Sequence, residues 1–196
     1  AGAFSRCLAL TSIDIPDGVT SIGESAFSSC IGLDSIAIKG NVKSIGESAF
    51  FGCDNLTSVT MLDGVESIGE SAFYSCDKLN NISIPDSVTF IGYDAFFGTS
   101  YYEDDFNWEN GVLYIDNHLI FADDTVSGEY DVRNGTVTIG EYAFTNSDGL
   151  TAITIPESVV SVGRRAFADC DNLEKVYWNV NGNDGVGFYN CFEDSG

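Results

Sequence analysis

The sequence is poor in the residues that most chemistry needs. It holds one histidine, one methionine, three prolines and eight lysines and arginines, against 30 aspartates and glutamates, for a net charge of −22. Nucleic-acid phosphate needs cationic surface, and an anionic membrane surface would repel this chain, so neither is expected as a partner. No apolar run reaches the roughly 20 residues of a membrane span, so no membrane insertion is expected within it. The opening AGAFSRCLAL lacks the basic and long apolar regions of a signal peptide. It reads as the middle of a folded pattern, which suggests a fragment or a processed product. His-Glu-x-x-His, Gly-x-Ser-x-Gly, Gly-x-Gly-x-x-Gly and the Walker loop are absent. The single histidine, His118, stands beside a predicted turn and reads as a surface residue. Paired carboxylates for glycoside hydrolysis remain open in so acidic a chain. Acids set by a ladder on a convex surface would, however, lack the cleft that raises one pKa. No cofactor and no catalytic residue is called for.

What the chain does have is 44% hydrophobic and 13% aromatic residues, enough to exclude wholesale disorder in 196 residues. These residues are periodic. IGESAF occurs at 22–27, 45–50 and 68–73, with variants IGYDAF at 91–96, IGEYAF at 139–144 and VGRRAF at 162–167. The repeat phenylalanines fall at 4, 27, 50, 73, 96, 144 and 167, a step of 23 except for one gap of 48. Each unit reads Leu-x-x-Ile-x-Ile-Pro-x-x-Val-x-x-Ile-Gly-x-x-Ala-Phe-x-x-Cys. The Ile-x-Ile core predicts a short strand with one buried face, from Ile13/Ile15 through Ile36/Ile38, Val59/Met61, Ile82/Ile84 and Ile153/Ile155 to Val176/Trp178. Pro16, Pro85 and Pro156 end that strand. Val-x-x-Ile is a second extended piece, and the glycine after it is expected to supply a sharp turn. Ala-Phe-x-x-Cys then makes a compact turn whose Phe plugs the interior. So small a unit cannot bury its own apolar face, so the coils must stack.

Cys7, Cys30, Cys53, Cys76, Cys170 and Cys191 each stand three residues after a repeat phenylalanine. Equivalent atoms of stacked coils lie about 4.8 Å apart, too far for the roughly 3.8 Å between disulfide Cβ atoms. Buried free thiols acting as small hydrophobes are the first reading. Oxidised pairing of neighbours such as Cys53 and Cys76, or structural zinc, are the alternatives. Thr99 and Ser147 replace Cys in two coils, which fits a packing role.

One stretch, 101–125, breaks the pattern. Gly111-Val-Leu-Tyr-Ile115 and His118-Leu-Ile-Phe121 flank Asp116-Asn117 and predict a β-hairpin. Tyr130 and Val132 then resume the Ile-x-Ile slots. The aromatics of this stretch either cover core or form an aromatic-acidic protrusion that contacts a ligand.

The motifs Leu-x-x-Ile-x-Ile-Pro, Val-x-x-Ile-Gly and Ala-Phe-x-x-Cys resemble the BspA-like (treponemal-type) branch of the leucine-rich repeat proteins. The resemblance covers nearly the whole chain. It implies a repeat solenoid of the α/β leucine-rich-repeat type, with short parallel strands, mostly β and turns, in a right-handed coil of 23-residue repeats. The expected organisation is a single solenoid over 1–196: a partial first coil 1–9, regular repeats 10–101, an irregular unit 102–149, a repeat 150–172 and a shortened terminal coil 173–196, in which Phe188 and Cys191 remake the corner.

The resemblance also implies a non-enzymatic adhesion module of a cell-surface or secreted protein. Its curved sheet would meet a protein or glycan ligand on a host or microbial surface. Candidate contacts are Tyr101, Tyr102, Phe106, Trp108 and Tyr114 of the irregular stretch, and Asn81, Ser83, Asp131 and Tyr177 among the outward sheet positions. A structural spacer or display stalk without a ligand is the alternative, and a carbohydrate-active enzyme a remote one. Acids also line up, Glu24, Glu47 and Glu70 in one slot and Asp17, Asp63 and Asp86 in another. Stacked like charges cost stability at low salt, and calcium could relieve that. Neither an EF-hand loop nor the nonapeptide calcium repeat is present.

Overall fold

A computed structural model describes residues 1–179. The chain divides into two compact units, Ala1–Asn107 and Trp108–Gly196. In the first, strands Ser35–Ile38, Ser58–Met61 and Asn81–Ser83 pair in parallel, with Ile36 opposite Val59 and Val59 opposite Ile82. A second parallel sheet joins Ser21–Ile22, Ser44–Ile45, Ser67–Ile68 and Phe90–Ile91. Apolar alternation sets the faces: Ile36 and Ile38 are buried while Ser35 and Ala37 are exposed. The chain is thus a solenoid of short parallel strands and turns at 23-residue spacing. The ladder begins at Ser35. No strand forms at Ile13 and Ile15, contrary to expectation; they line an open apolar cavity of about 480 Å³ with Phe4 and Phe27 at the end of the stack. Where Leu62 stands in the proline slot, its N–H donates to Ile38 O at 2.8 Å and prolongs the ladder.

The corners are stacked as tightly as the strands. Phe27, Phe50 and Phe73 donate their N–H groups to the carbonyls of Ala49, Ala72 and Ala95 at 2.7–2.8 Å. The rings of Phe4, Phe27, Phe50, Phe73 and Phe96 stack at centroid distances of 5.1–5.4 Å. Each fully buried ring contributes roughly 1.5–3 kcal/mol of transfer free energy.

The sharp turn is not made by the repeat glycine. The residue two places further on, Ser25, Ser48, Ser71 or Asp94, takes φ of 53–54°. That left-handed conformation costs a non-glycine residue about 1–3 kcal/mol. It aims the N–H at the next coil, where Ser25, Ser48 and Ser71 donate to Glu47, Glu70 and Tyr93 carbonyls at 2.9 Å. The glycine is needed for close approach instead. A Cβ on Gly46, Gly69 or Gly92 would lie 2.5–2.7 Å from the backbone nitrogen of Glu24, Glu47 or Glu70.

In the second unit, Val112–Ile115 and His118–Ala122 form the antiparallel hairpin expected, with Ile115 opposite His118 and φ of 50° at Asp116. Trp108–Glu109 adds a third antiparallel strand. The hairpin's second strand runs parallel to Thr138–Ile139, which pairs with Ser161–Val162. The main sheet is Gly128–Asp131, Leu150–Ile155 and Lys175–Trp178, with Tyr130 opposite Ile153 as the pattern predicts. Leu119 fills the Ile slot of its coil. Only three residues later, Ala122 N–H takes the phenylalanine's bond, donating to Ala143 O at 2.7 Å. That coil has no inward Phe, and Tyr130 packs over Phe144 at 5.8 Å instead.

Two expectations fail here. His118 is fully buried rather than superficial, because both faces of the hairpin are covered. Ala152, which the expected alternation around the buried Ile153 and Ile155 turns outward, is buried between Glu129 and Lys175 on the flanking strands. Phe188 and Cys191 lie outside the described residues.

Candidate functional site

The candidate contacts divide between the units. In the first, Thr99 occupies the cysteine slot, and its fully buried hydroxyl donates to Phe96 O at 2.8 Å. The same oxygen accepts from Tyr102 N–H at 3.1 Å, capping a helical turn, Ser100–Glu103. That cap lifts Tyr101 and Tyr102, both half-buried, out of the repeat path. Asp104 then accepts from Phe106 N–H through its carboxylate at 3.1 Å, and Asn107 Nδ2 donates to Tyr101 O at 2.9 Å. Held on both sides, Phe106 projects its ring 97% exposed, with exposed Glu103, Asp104 and Asp105 preceding it. Asn81 and Ser83 are exposed on the main sheet beside Ser58 and Thr60, a polar strip without an aromatic anchor.

In the second unit the aromatics mostly serve the interior. Tyr114 is only 3% exposed, and its ring lies in the core rather than on a contact surface. Its hydroxyl bonds that of Tyr130 at 3.1 Å and accepts from Arg133 N–H at 3.3 Å. The Arg133 guanidinium sits 4.2 Å over the same ring, pairs with Glu109 at 3.1 Å and donates to the Asp116 carbonyl. Burial, and then the Tyr114 hydroxyl, push the Tyr130 phenol far above its ordinary range, so it stays protonated. Trp108 is half-buried, edge-on to Phe121 at 6.5 Å. Asp131 and Tyr177 are exposed in one row of the sheet, either side of Thr154. An open cavity of about 410 Å³, lined by Asn110, Ser127, Glu129 and Asp131 among others, adjoins this sheet.

The sequence reading missed one row of surface residues. Phe51, Tyr74 and Phe97 each follow an interior phenylalanine, and their rings stack outside the corner at 5.3 and 5.5 Å. Tyr102 extends the column at 5.0 Å. The doubled aromatics of AFF, AFY and AFF at 49–51, 72–74 and 95–97 were the available signal.

The thiols are hydrogen-bonded as well as buried. Cys30, Cys53, Cys76 and Cys170 donate to the carbonyls of Phe4, Phe27, Phe50 and Phe144 in the preceding coil at 2.9–3.2 Å. All four are free thiols, as is Cys7, which is exposed rather than buried. Burial raises the Cys30 and Cys170 thiols, and the Cys53 thiol together with burial raises Cys76 well above its ordinary range. No group of three or more His, Cys, Asp or Glu that could hold a metal ion occurs among the described residues. No helix among them is long and apolar enough to cross a membrane.

The family described as BspA type leucine rich repeat region matches residues 1–127 and 115–194, in six copies. No curated protein matches the chain. Among solved structures, a leucine rich cell surface protein of Faecalibacterium prausnitzii A2-165 is 28% identical, covering 89% of this chain and 63% of its own, with a TM-score of 0.38. The T. pallidum leucine rich repeat protein is 25% identical, covering 81% and 63%, with a TM-score of 0.45. A leucine-rich repeat protein of Bacteroides ovatus ATCC 8483 is 24% identical, covering 91% and 51%, with a TM-score of 0.46. The chain therefore spans less than two thirds of the length of these solved proteins.

Proposed function

The chain belongs to the BspA-type leucine-rich repeat family, and on that premise we propose that it is a non-enzymatic protein-interaction module of a cell-surface or secreted protein, made for adhesion. The observation that carries the proposal is Phe106. Surfaces keep few exposed phenylalanines beyond what function needs, and the segment that carries this one is fixed by the Asp104 and Asn107 bonds. An aromatic ring within a polar, acidic rim has the make-up of an interface anchor. It suits a partner with an apolar pocket bordered by lysine or arginine, and Tyr101 and Tyr102 supply further contact area beside it. The surface location is what family membership suggests. A display spacer is the second reading, favoured by the unanchored polar strip of Ser58, Thr60, Asn81 and Ser83.

The test is surface plasmon resonance of the chain against a panel of extracellular-matrix proteins and glycans, beside a Phe106→Ser variant. The expected result is saturable binding to a panel member, weakened at least tenfold in the variant, with unchanged circular dichroism and melting temperature. Equal binding by the variant overturns the role of Phe106. No binding at high micromolar concentration leaves the spacer reading in its place.

A further inference from the structure

Phe51, Tyr74 and Phe97 lie outside every role described so far, and Tyr102, which flanks Phe106, closes their column. Phe50, Phe73 and Phe96 turn into the core, and the residue after each turns out. The first three rings face one another at interplanar angles of 3° and 24°, so they cover each other's faces and offer their edges to solvent. Phe51 and Phe97 are each 39% exposed. The ring-to-ring steps are 5.3, 5.5 and 5.0 Å. An α-helix rises about 5.4 Å per turn, so a helix laid along the column keeps one apolar side chain per ring interval. An extended strand places same-face side chains about 6.6–6.8 Å apart and falls out of step within two rings.

The charges near the column are mostly acidic, with Lys78 beside Asp77 the one cation among them. Four residues before Phe51 and Tyr74 stand Glu47 and Glu70, and three residues after them stand Asp54 and Asp77, all exposed. Residues 1–107 hold 15 acids and four cations. Three of those cations are engaged: Lys39 with Asp14 and Asp17, Lys43 with Glu66, and Lys78 with Asn55.

We propose that this column docks a basic amphipathic α-helix of a protein partner. The helix's apolar stripe lies on the ring edges, and its flanking lysines and arginines meet the exposed Glu47, Glu70, Asp54 and Asp77 of the same coils. The inference rests on the interaction-module reading, but it places contact at the repeat corner, away from Phe106.

The probe is a fluorescein-labelled Leu/Lys peptide of about 18 residues, or five helical turns, with leucines at i, i+3, i+4 and i+7. Its control has the same composition with leucine at every second position. Both are titrated with the 196-residue chain by fluorescence anisotropy at about 0.15 M salt, where distant charges are screened. The helical peptide should bind at least tenfold tighter than the control. Phe51→Ser/Phe97→Ser, which leaves the charge unchanged, should weaken it at least tenfold, and Phe106→Ser should leave it unchanged. Equal affinity for the two peptides means attraction by charge alone and overturns the proposal. So does unchanged binding by the double variant, or no saturable binding. Circular dichroism confirms the fold of the double variant, and Phe97→Ser alone takes its place should it fail to fold. Loss of matrix binding in Phe106→Ser is read separately, so either idea can fail without the other.

Discussion

Replacing Gly69 by alanine tests whether the repeat glycines serve the turn or the stack. Gly69 does not have a positive φ, and the left-handed residue of that corner is Ser71. If the glycine served only chain flexibility, alanine would stabilise the fold by about 0.4–1 kcal/mol through the unfolded state. The structure predicts the opposite sign. An alanine Cβ would lie 2.7 Å from Glu47 N, 2.7 Å from Gly46 C and 3.1 Å from Gly46 O. All three are backbone atoms of the neighbouring coil and cannot swing away. Reaching ordinary contact requires the coils to part by about 0.7 Å, which strains the 2.8 Å bond from Gly69 N–H to Ile45 O. Overpacking of this kind costs about 1–3 kcal/mol. With a urea slope of about 2 kcal/mol/M, the midpoint falls by roughly 0.5–1.5 M. Gly23 occupies the same slot, but its nearest neighbour is Ala1 N at 3.7 Å. Gly23→Ala should therefore leave the midpoint unchanged or raise it slightly. Equilibrium urea unfolding followed by circular dichroism compares the two. A Gly69→Ala chain as stable as the parent, or equal shifts for both variants, would refute the close-approach argument.

Other consequences follow from the buried groups. Native labelling with a thiol reagent, mapped by mass spectrometry, should modify Cys7 first and leave Cys30, Cys53, Cys76 and Cys170 protected until denaturant is added; rapid native labelling of Cys76 would contradict the hydrogen-bonded thiol ladder. The thiols of Cys30, Cys76 and Cys170 are raised above their ordinary 9.0; Cys53 is lowered by its bond with Cys76, but the upward shift of Cys76 is the larger of that pair. Below about pH 9 folded and unfolded chains both keep these protons; above it the unfolded chain releases them first, so the urea midpoint should hold from pH 7 and fall as pH rises past 9. A midpoint that rises there has the wrong sign. Arg133→Met should cost about 1–2 kcal/mol through its lost ring and ion-pair contacts, and Tyr114→Phe about 1–3 kcal/mol by stranding the Tyr130 hydroxyl. Melting temperatures should drop by about 2–4 °C per kcal/mol, and a drop in neither variant would show that Arg133 and Tyr114 do not clamp the hairpin.

Much of this fold was legible because repeat periodicity repeats its own signal. Ile36, Val59 and Ile82 announce a buried slot three times over, and Asp116-Asn117 between two apolar runs announces a hairpin. What was hidden depended on neighbours distant in sequence. The left-handed turn residue is Ser25, Ser48 or Ser71, whose type does not demand that conformation, whereas the adjacent glycine invites it. His118 looks superficial beside a turn in a segment rich in acids, and Tyr114 reads equally as core or contact; the packing of the hairpin against the strands that follow buries both. Ile13 and Ile15 carry the same pattern as Ile36 and Ile38 yet form no strand, a difference the pattern alone does not show. Of the candidate contacts, the sequence named Phe106 without distinguishing it from Tyr114. For Phe51 and Phe97 its one signal was the doubled aromatic after each repeat alanine, which alternation rules do not read, since they speak for strands and are silent at corners.

The measurement that tests the interaction account most directly is hydrogen exchange of the chain, followed by mass spectrometry, with and without a saturating matrix ligand. The account predicts slowed exchange in peptides covering Phe97 to Asn107, the segment that holds Tyr102 and Phe106, with the hairpin at 112–122 unchanged. Slowing confined to the sheet strands Ser58–Met61 and Asn81–Ser83, or no slowing anywhere, would contradict it.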